Sequence, residues 1–174
     1  VEVKNMYQDL YVVLGFDMET DIGSWTPFYQ GVKKGTSKII EILRKHQIKA
    51  TFFFTAEAAE QYPAAVQLVK EAGCEIGCHS LYHETLGDEL FSIPGVKPIL
   101  PQEVYERLKL ATEKIKRIVR KRPVSFRCPR LWGSSVVLNA LEVLGYKSDA
   151  SYPMYYYKEQ LVPYHPSKKD WRKK

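Results

Sequence analysis

Short apolar runs alternate with amphipathic stretches along most of the chain. Residues Leu10 to Phe16 of "LYVVLGFDME" form a compact apolar run bounded by acids, the pattern of a buried strand. "ATFFFT" (50–55), "CEIGC" (74–78) and "VSFR" (124–127) repeat that pattern, and "YKSDAS" begins a fifth strand. Between them the period changes. "TSKIIEILRKHQ" sets Ile39, Ile40 and Leu43 at helical spacing, with Thr36 and Ser37 as candidate caps. A second helix carries Pro63 in its first turn and "AAVQLVKEAG", with Gly73 at its C′ position. "PQEVYERLKLATEKIKRIVRK" is the clearest helix, with Val104, Leu108, Ala111, Ile115 and Val119 along one stripe. "SSVVLNALEVLG" is a fourth helix, stopped at Gly145. The stretch from His79 to about Pro101, with Pro94, Gly95 and Pro98, is expected to be irregular.

Strand and helix in alternation through five strands predict an α/β fold with a parallel sheet, over a single domain comprising residues 1–174. The pattern does not distinguish an open sheet from a barrel. Five strands fall short of a closed eight-stranded barrel, which needs roughly 250 residues.

Chemistry-bearing residues fall after the strands. Asp17, Glu19 and Asp21 follow the first, His79 and His83 the third, Arg127 ends the fourth, and Asp149 lies near the end of the fifth. In parallel α/β folds all these points share the C-terminal rim, where active sites form. The H-x-x-x-H spacing alone is common. A carboxylate delivered to the same rim turns it into a candidate two-His, one-carboxylate metal site with open positions. A second carboxylate beside it suits a general base, held ionised by an arginine. Plainer readings stand beside these: acids after strands often cap the next loop, Arg127 reads equally as a surface residue before Pro129, and Asp149 as an acceptor of local backbone hydrogen bonds. His46 ends a helix as a dipole-compensating residue. His165, in the Pro-flanked tail, has no evident partner.

The net charge of +6 invites a nucleic-acid reading, but "KKDWRKK" at the end supplies +4 of it. Such a tail is expected to be a solvated or frayed end, and no nucleic-acid motif accompanies it. No apolar run spans a membrane, and no signal-peptide pattern opens the chain. Cys74, Cys78 and Cys128 cannot all pair, and they sit in apolar contexts. Buried thiols in a reducing, cytoplasmic compartment are therefore expected. The chain begins with Val, so its own start is expected upstream.

From about Leu10 to Tyr157 the ordered motifs resemble the polysaccharide deacetylases of the NodB-homology class, carbohydrate esterase family 4. "HSLYH" is the specific match, "ATFFFT" is similar to the family's second strand, and "RCPR" to its third motif. The resemblance implies a distorted, incomplete (β/α) barrel. It assigns Asp17 as catalytic base, and Glu19, His79 and His83 as metal ligands, with Asp21 a possible substitute for Glu19. Arg127 would orient the base, and Asp149 would tune the general acid. At Arg130 the family often has Tyr and uses the backbone N–H for the oxyanion. The family's acid histidine has no obvious equivalent, so the last strands and that motif are expected to be missing from this chain.

The implied cofactor is a divalent metal, Zn2+ first, with Co2+, Ni2+ or Mn2+ as alternatives. The implied reaction removes an N-acetyl group from a polysaccharide or amino sugar. Two rivals share the residues: a metal amidohydrolase acting on a small cyclic imide or ureide, and a catalytically impaired carbohydrate-binding domain. The loop from Glu84 to Pro101 and "SYPMYYY" (151–157) are candidates to line a groove, although a Tyr cluster there serves equally as core. Neither a nucleic acid nor a membrane is expected as partner, and oligomeric state is not legible.

Overall fold

The computed structural model describes residues 11–23 and 25–174. Five strands, β1 (Gly15–Met18), β2 (Thr51–Phe54), β3 (Glu75–Cys78), β4 (Ser125–Phe126) and β5 (Ser148–Asp149), form one sheet in the order β1-β2-β3-β4-β5. Every pairing is parallel. The order never reverses. With crossovers of one hand, all connecting helices then lie on one face of the sheet, as in a sector of a barrel. The helices α1 (Thr36–Lys45), α2 (Ala56–Gln61), α3 (Pro63–Glu71), α4 (Val104–Val119) and α5 (Ser135–Val143) form that outer layer. Packing runs from α1 to α3, α3 to α4 and α4 to α5.

The register explains the two faces. Phe52, Phe54, Cys78 and Phe126 point at the helices and are fully buried. They meet Ile40, Val69 and the α4 stripe of Val104, Leu108, Ala111, Ile115 and Val119, every member of which is buried. Cys78 and Cys128 are buried free thiols, as expected, and Cys74 is half-buried. Phe53 belongs to the opposite, concave face and lies outside this core. Gly77 pairs with Phe53, and a Cβ there would lie 2.6 Å from the Phe53 ring and from Ser125 Oγ, so only glycine fits between them.

Several expectations move. The first strand begins at Gly15 instead of Leu10, which lies outside the described residues. Tyr11, Val12 and Val13 are exposed, because β2 starts at Thr51, opposite Gly15, and offers those residues no partner. Apolar character marks a segment for burial; a strand also needs a neighbour. Neither Thr36 nor Ser37 caps α1, since a π-helical turn over Gly31–Gly35 runs directly into it. Thr36 Oγ1 donates instead to the Val32 carbonyl, 2.7 Å away. The short α2 was not anticipated; Thr55 caps it by accepting from Ala58 N–H. His46 does end α1.

The basic tail is not frayed. Trp171 is 2% exposed. Its backbone N–H donates to Ser135 Oγ at 3.0 Å, and its backbone carbonyl accepts from Tyr164 Oη at 2.6 Å. One indole at the centre of a charge run outweighs the flanking lysines, because its burial removes far more apolar surface from water than any of them loses. No helix among the described residues is long and apolar enough to cross a membrane.

Candidate metal centre

β1 alternates, so Asp17 and, past the strand end, Glu19 face the concave side with Gly15. On β3 the same parity brings Gly77 and then His79 to that side. The chain next makes an irregular turn in which Ser80 (φ 69°) and His83 (φ 64°) both adopt the left-handed region. The Glu84 carboxylate holds it, accepting from Tyr82 N–H at 2.6 Å and Ser80 Oγ at 3.1 Å. Ser80 Oγ in turn accepts from His83 N–H at 3.1 Å. The turn returns His83 beside His79, with ring centroids 5.1 Å apart.

Both imidazoles meet Glu19. Its Oε2 lies 3.0 Å from His79 Nε2 and 2.5 Å from His83 Nε2. One ligand atom from each of the three residues falls within 4.8 Å of the others. His79 Nδ1 is 2.7 Å from the Arg127 carbonyl, an acceptor only, so Nδ1 carries the hydrogen. A neutral His79 would then aim a bare Nε2 lone pair at a carboxylate oxygen. Only a cation between them, a proton or a metal, reconciles that arrangement. With a proton it is a hydrogen-bonded pair. Burial opposes the charge on His79, yet the Glu19 hydrogen bond, the charges of Asp17 and Glu19 and the Arg127 carbonyl together raise its pKa. Burial likewise works against ionised Glu19, but the two imidazoles bring its pKa down to about 2. Burial lowers the pKa of His83, as do the charges of His79 and Arg130, against the pull of Glu19. The donor set suits Zn2+ or a similar divalent ion.

Asp21 is elsewhere. Its two oxygens accept from Gln30 N–H and Gly31 N–H, 2.8 Å each, capping the turn before α1. Of the two carboxylates left open by the sequence, Glu19 reaches the histidines and Asp21 does not.

Arg127 Nη1 donates to Asp17 Oδ1 at 3.0 Å, and its guanidinium lies over the Phe53 ring, 4.5 Å from the centroid. Gly15 makes room for it, since a Cβ there would lie 2.5 Å from Arg127 Nη2. Arg130 Nη1 reaches the His83 carbonyl and Thr85 Oγ1, both at 3.3 Å.

Asp149 points the other way. It pairs in register with Phe126, on the helix-facing side. Oδ1 accepts from Ser151 Oγ at 2.5 Å and Oδ2 from Ser151 N–H at 3.2 Å. Ser151 Oγ accepts from Cys128 N–H at 2.7 Å, so Asp149 braces the turn between Arg127 and Arg130. Burial raises its pKa to about 6, against the Ser151 hydrogen bonds and the charge of Arg127. A cleft of about 920 Å³ between α5 and the C-terminal segment touches Asp149 and His165, but not Glu19, His79 or His83. The site is thus defined by converging ligand atoms and not by that hollow.

Sequence reasoning passed over Gly15, Ser80 and Glu84. Ser80 and Glu84 are four apart within "HSLYHE", a polar pair enclosing His83, and that was the available signal. Gly15 gave none, because its role is the space it leaves to a residue 112 positions on.

The sequence matches the polysaccharide deacetylase family over residues 8–148. It is 27% identical over 123 residues to the peptidoglycan-N-acetylmuramic acid deacetylase PdaA of Bacillus subtilis (strain 168), covering 70% of this chain and 43% of that one. A putative polysaccharide deacetylase from Mycobacterium smegmatis superposes with a TM-score of 0.64 at 20% identity, covering 79% of this chain and 49% of that one. A pseudoenzyme of carbohydrate esterase family 4 from Bacillus anthracis gives 0.61 at 18%, covering 79% and 42%. The chain therefore spans about half or less of each of these proteins. Likeness at such identities shows the fold, and it agrees with the barrel sector described above. The match begins before β1 and ends within β5, so it takes in every strand but one residue, along with both histidines, Glu19, Asp17 and Arg127. The chain belongs to the polysaccharide deacetylase family.

Proposed function

We propose that this domain is the metal-binding part of a hydrolase that removes N-acetyl groups from a polysaccharide or amino sugar. The observation that carries the proposal is the meeting of Glu19, His79 and His83 on one point, on the same concave face as the Asp17–Arg127 pair. Those three residues would hold the ion, Zn2+ in the first instance. Bound there, a divalent ion supplies a Lewis acid that polarises water and an acyl oxygen. Asp17 is the group that accepts the proton as water attacks the amide carbon. Arg127 keeps Asp17 aimed, and Phe53 beneath the guanidinium fixes its plane. Asp149 enters as a positioning residue, holding through Ser151 the turn that carries Arg127 and Arg130. Among the described residues no histidine hydrogen-bonds to it.

The binding-only alternative would be favoured by an Asp17 turned from the site. Asp17 instead pairs with Arg127, and its charge is felt at His79. The proposal is tested by acetate release from an N-acetylated oligosaccharide, using zinc-loaded protein and the Asp17→Asn variant. Release by the wild type, falling about a thousandfold in Asp17→Asn with zinc retained, supports it. Equal release by both proteins contradicts it.

A further inference from the structure

The end of the domain opposite the metal centre is basic. In a parallel sheet the helix C-termini and the segments that lead into the strands share the N-terminal rim. Three long side chains tie these segments together here. Lys49 Nζ donates to the Ala72 carbonyl at 2.6 Å, Lys70 Nζ to the Val119 carbonyl at 3.2 Å, and Arg122 Nη1 to the Leu144 carbonyl at 3.1 Å. The ends of α1, α3, α4 and α5 are thereby joined in one row.

Residues 44–50 hold three lysines and arginines and no acid, and residues 116–124 hold five and no acid. Glu113 takes two of those five, Arg122 at 2.6 Å and Lys116 at 3.4 Å. The acids on the rim are also engaged. Glu75 accepts from Thr51 Oγ1, Glu71 from Gln67 Nε2, and Glu142 pairs with Lys168 at 3.1 Å. Arg44, Lys45, Arg117, Arg120, Lys121 and Lys147 are exposed, and among the described residues none of them has an ion-pair partner. Compensation of helix dipoles accounts for Arg44, Lys45 and Arg117, but not for Lys121 and Lys147, which lie beyond the helices. Arg120 ends α4 in the left-handed region, with φ 62°. A cation therefore stands at a backbone position that favours glycine. Apolar side chains flank the row: Ile48 at the α1 end is 44% exposed, and Val143 at the α5 end is 71% exposed.

We infer that this rim docks the domain on an anionic lipid surface. Phosphate headgroups meet the unpaired lysines and arginines, and Ile48 and Val143 enter the boundary between headgroups and acyl chains. A nucleic acid would take up the same cations and gain nothing from the two aliphatic side chains. Glu19, His79 and His83 follow the other ends of their strands, so a domain docked this way turns its metal centre away from the lipid. No described helix crosses a membrane, but lying against one requires no span. The row is assembled from separate segments, which is why a charge count along the chain picks out the terminal run instead.

The test is co-sedimentation of the zinc-loaded protein with vesicles of phosphatidylcholine alone or with about 30% phosphatidylglycerol added. Wild type should bind the mixed vesicles and not the neutral ones, and added salt should release it. Arg117→Gln/Arg120→Gln/Lys121→Gln should weaken binding about a hundredfold, at about fivefold per cation. Ile48→Ser/Val143→Ser should weaken vesicle binding about tenfold and leave the affinity for heparin, a polyanion without an acyl phase, unchanged. Melting temperature and zinc binding check that both variants are folded. Failure of the wild type to bind mixed vesicles would overturn the inference, as would unchanged binding by the folded triple variant. Undiminished vesicle binding by Ile48→Ser/Val143→Ser would assign the rim to polyanions at large and overturn the lipid reading. Acetate release plays no part in the readout, so failure here leaves the deacetylase proposal untouched.

Discussion

Gly87→Ala should be among the most damaging single-methyl additions in this chain. A Cβ at Gly87 would lie 2.2 Å from the Trp132 carbonyl oxygen and 2.4 Å from the Gly133 carbonyl carbon. These are backbone atoms, so no side chain can swing away, and the overlap is about 1 Å against an ordinary contact of about 3.4 Å. Overpacking of this kind costs about 1–3 kcal/mol. Separating the two segments also breaks the 3.0 Å hydrogen bond from Asp88 N–H to the Gly133 carbonyl, which is worth about 1 kcal/mol more. The sum is about 3 kcal/mol, or a fall of about 6–12 °C in Tm for a chain of this size. Gly35→Ala is the internal control. Gly35 has φ −71° and nothing within 4 Å of its Cβ position, so the same methyl should stabilise by about 0.5–1 kcal/mol. Urea denaturation followed by far-UV circular dichroism measures both. If Gly87→Ala lay within about 1 kcal/mol of wild type, the contact between the Glu84–Pro101 loop and the Arg130–Gly133 turn would be looser than described.

Three further outcomes are expected. Gly15→Ala should push Arg127 off Asp17 by about 1 Å, lowering deacetylation about a hundredfold with zinc affinity and Tm nearly unchanged; loss of zinc along with activity would refute that separation of roles. Glu84→Ala removes the carboxylate that holds Ser80 and His83 in the left-handed region, and should weaken zinc binding about 10- to 100-fold by calorimetry. Asp149 has a folded pKa raised to about 6 from 3.8, so its proton is bound more tightly in the folded state. Its contribution is fully present below about 4 and is lost as pH rises to about 6, a decline of about 1–2 kcal/mol after discounting for partial exposure. Asp149→Asn should flatten that part of the stability profile, and an unchanged slope would show that another group produces it.

The parts legible in the sequence were those set by periodicity. Each of the four anticipated helices formed, and the α4 stripe went inward residue for residue. The shared C-terminal rim, one residue beyond β1 and β3, was enough to bring Glu19 to His79. It could not decide between Glu19 and Asp21, because the chain leaves extended geometry after Met18 and Asp21 is claimed by the N–H groups of Gln30 and Gly31. Asp149 was placed at the right strand end, but its facing depends on a register with Phe126 that β5, two residues long, leaves almost no pattern to reveal. The tail misled for a related reason. Charge counting weighs every residue alike, whereas Trp171 alone decides whether that segment docks. The fold was thus written in repeated patterns, and the missing details were single long-range contacts.

Zinc titration calorimetry on wild type, Glu19→Ala, His79→Ala and Asp21→Ala tests the central claim most directly. The account predicts one zinc bound by the wild type and by Asp21→Ala with similar affinity, and a loss of about a hundredfold or more in Glu19→Ala and His79→Ala. A wild type that takes up no zinc, or an Asp21→Ala that loses it while Glu19→Ala keeps it, would contradict the assignment of Glu19, His79 and His83 as the metal centre.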